Sequence, residues 1–112
     1  MNYYYDLYVS ESLQRKKKQI VKKLENNQFQ LNRYVIVLSG KEDEYLEVYN
    51  STVLTQDAYD TKEMFVVGIT DCYEDALAFI VKITQQVYEE TKSADIRTYI
   101  RDRQHQFEEG NV

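Results

Sequence analysis

The sequence predicts an α+β fold: a two-layer sandwich whose mixed four-stranded sheet carries helices mainly on one face, in the order β-α-β-β-β-α-α. Three observations predict it. Residues 34–38 and 64–69 are short runs apolar on both faces, as central strands are. A polar turn, Ser39-Gly40-Lys41-Glu42-Asp43, joins the first run to a segment of alternating character and so predicts an antiparallel hairpin. Helical spacing then fills the C-terminal half. At 112 residues, with no repeat and no Gly/Pro/Ser-rich boundary, the chain reads as a single domain, 1–112.

Residues 3–9, Tyr3-Tyr4-Tyr5-Asp6-Leu7-Tyr8-Val9, are aromatic and β-branched and predict the first strand. Ser10 offers an N-cap for a helix over 11–26, with Leu13, Lys17, Ile20, Val21 and Leu24 on one face and Asn26-Asn27 as the stop. This strand–helix–strand unit predicts that strands one and two pair in parallel. From Tyr45 to Leu54 the side chains alternate: Leu46, Val48, Thr52 and Leu54 on one side, Tyr45, Glu47, Tyr49 and Ser51 on the other. A polar loop, 56–62, precedes the fourth strand. Asp71 with Glu74 resembles a capping box for a helix over 72–91, whose apolar positions are Tyr73, Ala76, Leu77, Ile80, Ile83, Val87 and Tyr88, with Phe79 and Val81 beside them. So wide a stripe implies contact with more than the sheet. Ser93 or Asp95 caps a third helix carrying Ile96, Tyr99, Ile100, Arg103 and Phe107, and a loose tail is expected from about residue 108. The first two helices are expected on one face of the sheet.

Composition narrows function. One His, one Cys and three Gly leave few of the groups that usually build catalytic, metal or phosphate sites, so no catalytic residue, metal ligand or cofactor is assigned and the chain is expected not to be an enzyme. A lone Cys forms no internal disulfide, no run is long enough to span a membrane, and residues 1–6 lack a secretory pattern; together these predict a cytoplasmic protein. Net charge is −5, but residues 12–23 carry six basic side chains and no acid.

Eleven tyrosines are the most distinctive usage. Tyr4 and Tyr8 share one side of the first strand, and Tyr45 and Tyr49 one side of the third. If the helices pack on the opposite side, these rings, with Phe79 from the second helix, form an interaction surface for a protein partner or a second copy. The alternative is binding of nucleic acid or phosphate by Arg15, Lys16, Lys18, Lys22 and Lys23, although consecutive helical residues 100° apart do not make one flat patch. The other candidates have plainer readings. Cys72 sits at a helix start, where Asp71, Glu74 and Asp75 oppose a thiolate. The acidic groups at 71–75 and 42–44 read as capping and as a solvated turn. His105 could pair with Asp102. Gly68, inside a strand, marks a bulge or a close backbone approach.

Phe65-Val66-Val67-Gly68-Ile69, Tyr73-Glu74-Asp75-Ala76-Leu77, Val87-Tyr88 and Ala94-Asp95-Ile96-Arg97-Thr98-Tyr99, with the Tyr-rich first strand and Lys-rich helix, resemble a group of small bacterial proteins of no assigned function. The resemblance implies a bacterial cytoplasmic protein and carries no activity, cofactor or site residue.

Overall fold

A computed structural model describes residues 1–28, 30–40, 45–56 and 61–110. The elements are β1 (Asn2–Val9), a 3-10 helix (Glu11–Lys16), α1 (Lys17–Glu25), β2 (Tyr34–Leu38), β3 (Leu46–Asn50), a 3-10 turn (Val53–Thr55), β4 (Phe65–Thr70), α2 (Tyr73–Thr91) and α3 (Ile96–Glu108). The fold is α+β, built on one mixed four-stranded sheet of order β1-β4-β2-β3.

The hairpin of β2 and β3 forms as expected, closed by a Ser39 N–H to Tyr45 O hydrogen bond of 2.9 Å. Lys41, Glu42, Asp43 and Glu44 lie outside the described residues, as do 57–60 of the loop and 111–112 of the expected tail. α3 itself runs through Glu108, one residue into the stretch expected to be loose.

The expected parallel pairing of strands one and two does not occur. β4 lies between them, parallel to β1 and antiparallel to β2, so β1 and β2 run in opposite directions. The two strands that are apolar on both faces, β4 and β2, take the interior of the sheet because both their faces must be covered. α1 and α2 also lie on opposite faces rather than together. Ile20 and Leu24 of α1 pack with Val9, Val35, Val37, Val66, Ile69 and Leu54. Ile83 and Val87 of α2 and Ile96 and Ile100 of α3 pack with Tyr4, Leu38 and Val67 on the other side. The two longer helices therefore share one face, and α1 covers the other.

Bulges reconcile these faces. Between Tyr3↔Val66 and Tyr8↔Gly68, β1 advances five residues while β4 advances two, and between Ile36↔Gly68 and Val37↔Val66 β4 carries one extra residue, Val67. Gly68 sits where this distortion brings chains close: a Cβ there would lie 3.0 Å from Ile36 Cδ1 and 3.1 Å from Tyr8 O.

Local signals were answered unevenly. The third strand ends at Asn50, not Leu54, because the Asn50 side chain accepts hydrogen bonds from Thr52 N–H at 3.0 Å and the Thr52 hydroxyl at 2.9 Å and starts a turn. The first helix opens as 3-10 rather than α. Ser10 is at its N-cap position, but the hydroxyl is turned away to Asp75 Oδ2 at 3.0 Å. Cys72, not Asp71, is the N-cap residue of α2, so no capping box forms. Asp95 caps α3 through Thr98 N–H at 3.1 Å, as one of the two expected caps.

Candidate interaction surface

The structure does not gather the expected tyrosine patch, because helices cover both faces of the sheet. Tyr4 is only 2% exposed and belongs to the α2/α3 core. Tyr8 is half-buried, donates to Gln86 Oε1 at 3.0 Å, and has Phe79 tilted against it with ring centroids 5.6 Å apart. Tyr45 is on the same face, with the Arg97 guanidinium 5.7 Å from its ring centroid. Tyr49 is on the α1 face and donates to Glu47. Tyr45 and Tyr49 are thus on opposite sides of the sheet, since Tyr45 precedes the regular strand.

The α2/α3 face instead holds a tyrosine–arginine network. Arg103 donates to Tyr99 Oη at 2.7 Å and to Tyr5 Oη at 2.9 Å, and pairs with Asp6 at 3.6 Å. Tyr99 in turn donates to Glu90 and accepts from Gln86. Burial pushes the Tyr4, Tyr8 and Tyr99 hydroxyls up from their ordinary pKa, and the Tyr5 hydroxyl beside Arg103 pushes the guanidinium up. These phenols stay neutral and Arg103 stays charged at physiological pH, and the network ties α3 to β1. Only the i, i+4 spacing of Tyr99 and Arg103 hinted at it in the sequence.

The basic segment is displayed to solvent. Arg15, Lys16, Lys18 and Lys22 are exposed and Lys23 is half-buried, and none of the five pairs with a described carboxylate. Arg15 and Lys16 belong to the 3-10 helix and the other three to α1, which splits the cluster further.

At the C-terminal ends of β1 and β4, ligand atoms of Asp71, Cys72 and Asp75 lie within 4.8 Å of one another. Serines occupy the carboxylates: Ser12 donates to Asp71 and Ser10 to Asp75. The Ser12 hydroxyl holds the Asp71 carboxyl below the usual aspartate range. A hydrogen bond from the Asp75 amide pulls the Cys72 thiol down, but desolvation and the carboxylates of Asp75 and Asp71 more than reverse it, leaving the thiol raised and protonated. His105 pairs with Glu109, four residues on, at 2.9 Å, and not with Asp102.

A different surface stands out. α2 buries Ala76, Ile83 and Val87, and a second stripe on the adjoining face stays in solvent: Tyr73 44% exposed, Leu77 47%, Val81 56% and Tyr88 57%. The spacing 73, 77, 81, 88 keeps these side chains on one face along the whole helix. The surplus width of this helix was visible in the sequence, although the tyrosines of β1 and β3 drew the expectation elsewhere. Beside the stripe, Ile80, Thr84, Ala94 and Ile96 meet Tyr45 and Leu46 around a shallow apolar cleft of about 300 Å3. The stripe therefore continues to the β3 edge of the sheet.

No protein-family model, no curated protein and no solved structure matches this chain. No helix among the described residues is long and apolar enough to cross a membrane.

Proposed function

We propose that this chain is a non-enzymatic protein-interaction domain that self-associates through the outer face of α2. The observation that carries the reading is the stripe Tyr73, Leu77, Val81 and Tyr88, four large side chains each about half exposed along one helix face. A contiguous apolar strip of this kind is costly to leave in water and is characteristic of an interface. The cleft between α2 and β3 widens it. A reducing, cytoplasmic setting fits the single free thiol of Cys72.

Light scattering on a sizing column, over a tenfold range of concentration, tests it. Leu77→Glu and Val81→Glu place charges on the exposed stripe without touching the core. Each is expected to raise the dissociation constant at least about tenfold, which is roughly 1.4 kcal/mol. Association unchanged in both variants, or a monomer throughout, overturns the reading.

A second reading rests on the exposed cations Arg15, Lys16, Lys18 and Lys22, which no described carboxylate neutralises, with Lys23 at their margin. It proposes binding of phosphate groups on nucleic acid, with affinity falling steeply as salt rises. No retention on single- or double-stranded nucleic acid at low salt removes it.

A further inference from the structure

The hydrogen-bond phase of β3 specifies which of its backbone groups face outward. Ser39 N–H bonds to Tyr45 O and Ser51 N–H to Arg33 O, each at 2.9 Å. Between these two points the register is Leu38↔Leu46, Val37↔Glu47, Ile36↔Val48, Val35↔Tyr49 and Tyr34↔Asn50. Antiparallel ladders alternate bonded and non-bonded pairs. Glu47 and Tyr49 therefore bond inward to β2, and Leu46, Val48 and Asn50 turn their N–H and C=O groups away from the sheet. Nothing among the described residues bonds to these outward groups. The strand has no bulge against β2, no Pro and no Lys, and its one charge, Glu47, is engaged by the hydroxyls of Ser39 and Tyr49, so among the described residues little blunts this edge beyond its shortness.

We propose that a second copy of this chain docks on this flank, with β3 pairing antiparallel to its own counterpart about a two-fold axis through Val48. The proposal rests on the self-association reading and names its partner and register. Three features favour a second copy over a different protein. The three outward residues are evenly spaced about Val48, so Val48 meets Val48 and Leu46 meets Asn50, completing about six inter-strand hydrogen bonds. On the α1 side the same register sets Glu47 opposite Tyr49, the two groups that already hydrogen-bond within one chain, and never carboxylate opposite carboxylate. On the other side, the axis turns the two α2 stripes towards each other in antiparallel array. Residues 73 and 88 are symmetric about 80–81, so the tyrosines flank a centre of Leu77 and Val81. A stable dimer hides about 1,200–2,000 Å2 in total. A five-residue strand pair alone falls short, and the stripes supply the apolar remainder.

The test uses the full chain with Cys72→Ser to remove the native thiol. In that background, Val48→Cys places each thiol opposite its twin across a bonded pair, within the Cα separation of about 4.4–6.8 Å that a disulfide needs. Glu47→Cys is the control, because residue 47 faces 49 and its twin is only a diagonal neighbour. Mild oxidation is expected to link the Val48→Cys chain into a dimer and leave the Glu47→Cys chain unlinked. Separately, Val48→Pro removes an outward N–H, a change an edge strand accepts. It is expected to raise the dissociation constant at least about a hundredfold, with the circular dichroism spectrum retained. A dimer that survives Val48→Pro and does not link through Val48→Cys overturns the strand pairing and leaves self-association through α2 standing. A wild-type chain that is monomeric at every concentration overturns both and assigns the flank to a different protein.

Discussion

Along β1, the outer rim of the sheet is closed by side chains from two directions: Gln104 Oε1 accepts the Tyr5 N–H at 2.7 Å, and Gln14 Nε2 donates to Val9 O at 2.9 Å. Between them the strand bulges and presents Asp6, which Arg103 pairs. Along β3, the equivalent groups of Leu46, Val48 and Asn50 face outward from a regular ladder. Both rims are edges of the same sheet, and among the described residues only one is finished. The cost of finishing β1 is visible in its broken register with β4, which aligns at Asn2–Tyr3 and again at Tyr8–Val9. The proposed association uses the open flank, the one where α2 also leaves apolar side chains in water.

The strongest way to break this comparison is to place a charge on each edge. Tyr4 lies in the core beneath the β1 edge, so Tyr4→Glu forces a carboxylate among Val67, Ile83 and Ile100, with only Arg103 nearby to offset it. A loss of at least about 3 kcal/mol is expected in urea unfolding, a large share of a typical domain's stability. Tyr49→Glu on β3, half-exposed, is expected to cost about 1 kcal/mol. Tyr4→Phe sharpens the point. The Tyr4 hydroxyl is buried and has no partner, so its removal is expected to be neutral or to stabilise by up to about 1 kcal/mol. Equal losses for the two Glu variants would show that the edges do not differ as described.

Gly68 offers a smaller, more local test. Its missing Cβ leaves room for Ile36 Cδ1 and for the backbone oxygen of Tyr8, and that oxygen has no flexible end to move. Gly68→Ala is expected to cost about 1–2 kcal/mol and to speed amide hydrogen exchange in β1 at Tyr8 and Val9. Faster exchange confined to β3 would contradict the close approach of β1 and β4.

These particular residues also show where the sequence was readable. The span 34–38 and the Asp95 cap were legible because a two-faced apolar run and a capping side chain act through neighbours in the chain. Gly68 was legible for the same reason: a glycine inside a strand is anomalous wherever the strand goes. The insertion of β4 between β1 and β2 was not legible, since it depends on which distant strand most needs burial on both faces. Without that order, local spacing alone places α1 and α2 on one face together and leaves Tyr4 on the opposite, open one. The α2 stripe was half legible. Its excess width was plain, but whether the sheet or solvent receives the surplus is decided by where α3 lies, over β1 and not beside Leu77 and Val81. The outward phase of β3 needs the hairpin's closing bonds, which alternation alone does not supply.

The smallest expected effect concerns the junction that ties the closed edge to the body of the protein. Ser12, just after β1, donates to Asp71, just after β4, and this bond is the first cause of the lowered Asp71 pKa. A carboxyl lowered in the folded state stabilises the fold above its ordinary value, about 3.9, and that contribution fades as pH falls through the lowered one. Ser12→Ala is therefore expected to cost about 0.5 kcal/mol at pH 7, small because the pair is largely solvent-screened. The gap between wild type and variant should narrow as pH falls below about 4 and close once Asp71 is protonated in both. Urea unfolding at steps of pH reads it directly. A gap that stays constant to pH 2 would mean that Ser12 acts through the 3-10 helix alone, and that the carboxylate of Asp71 does not hold the end of β1 to β4.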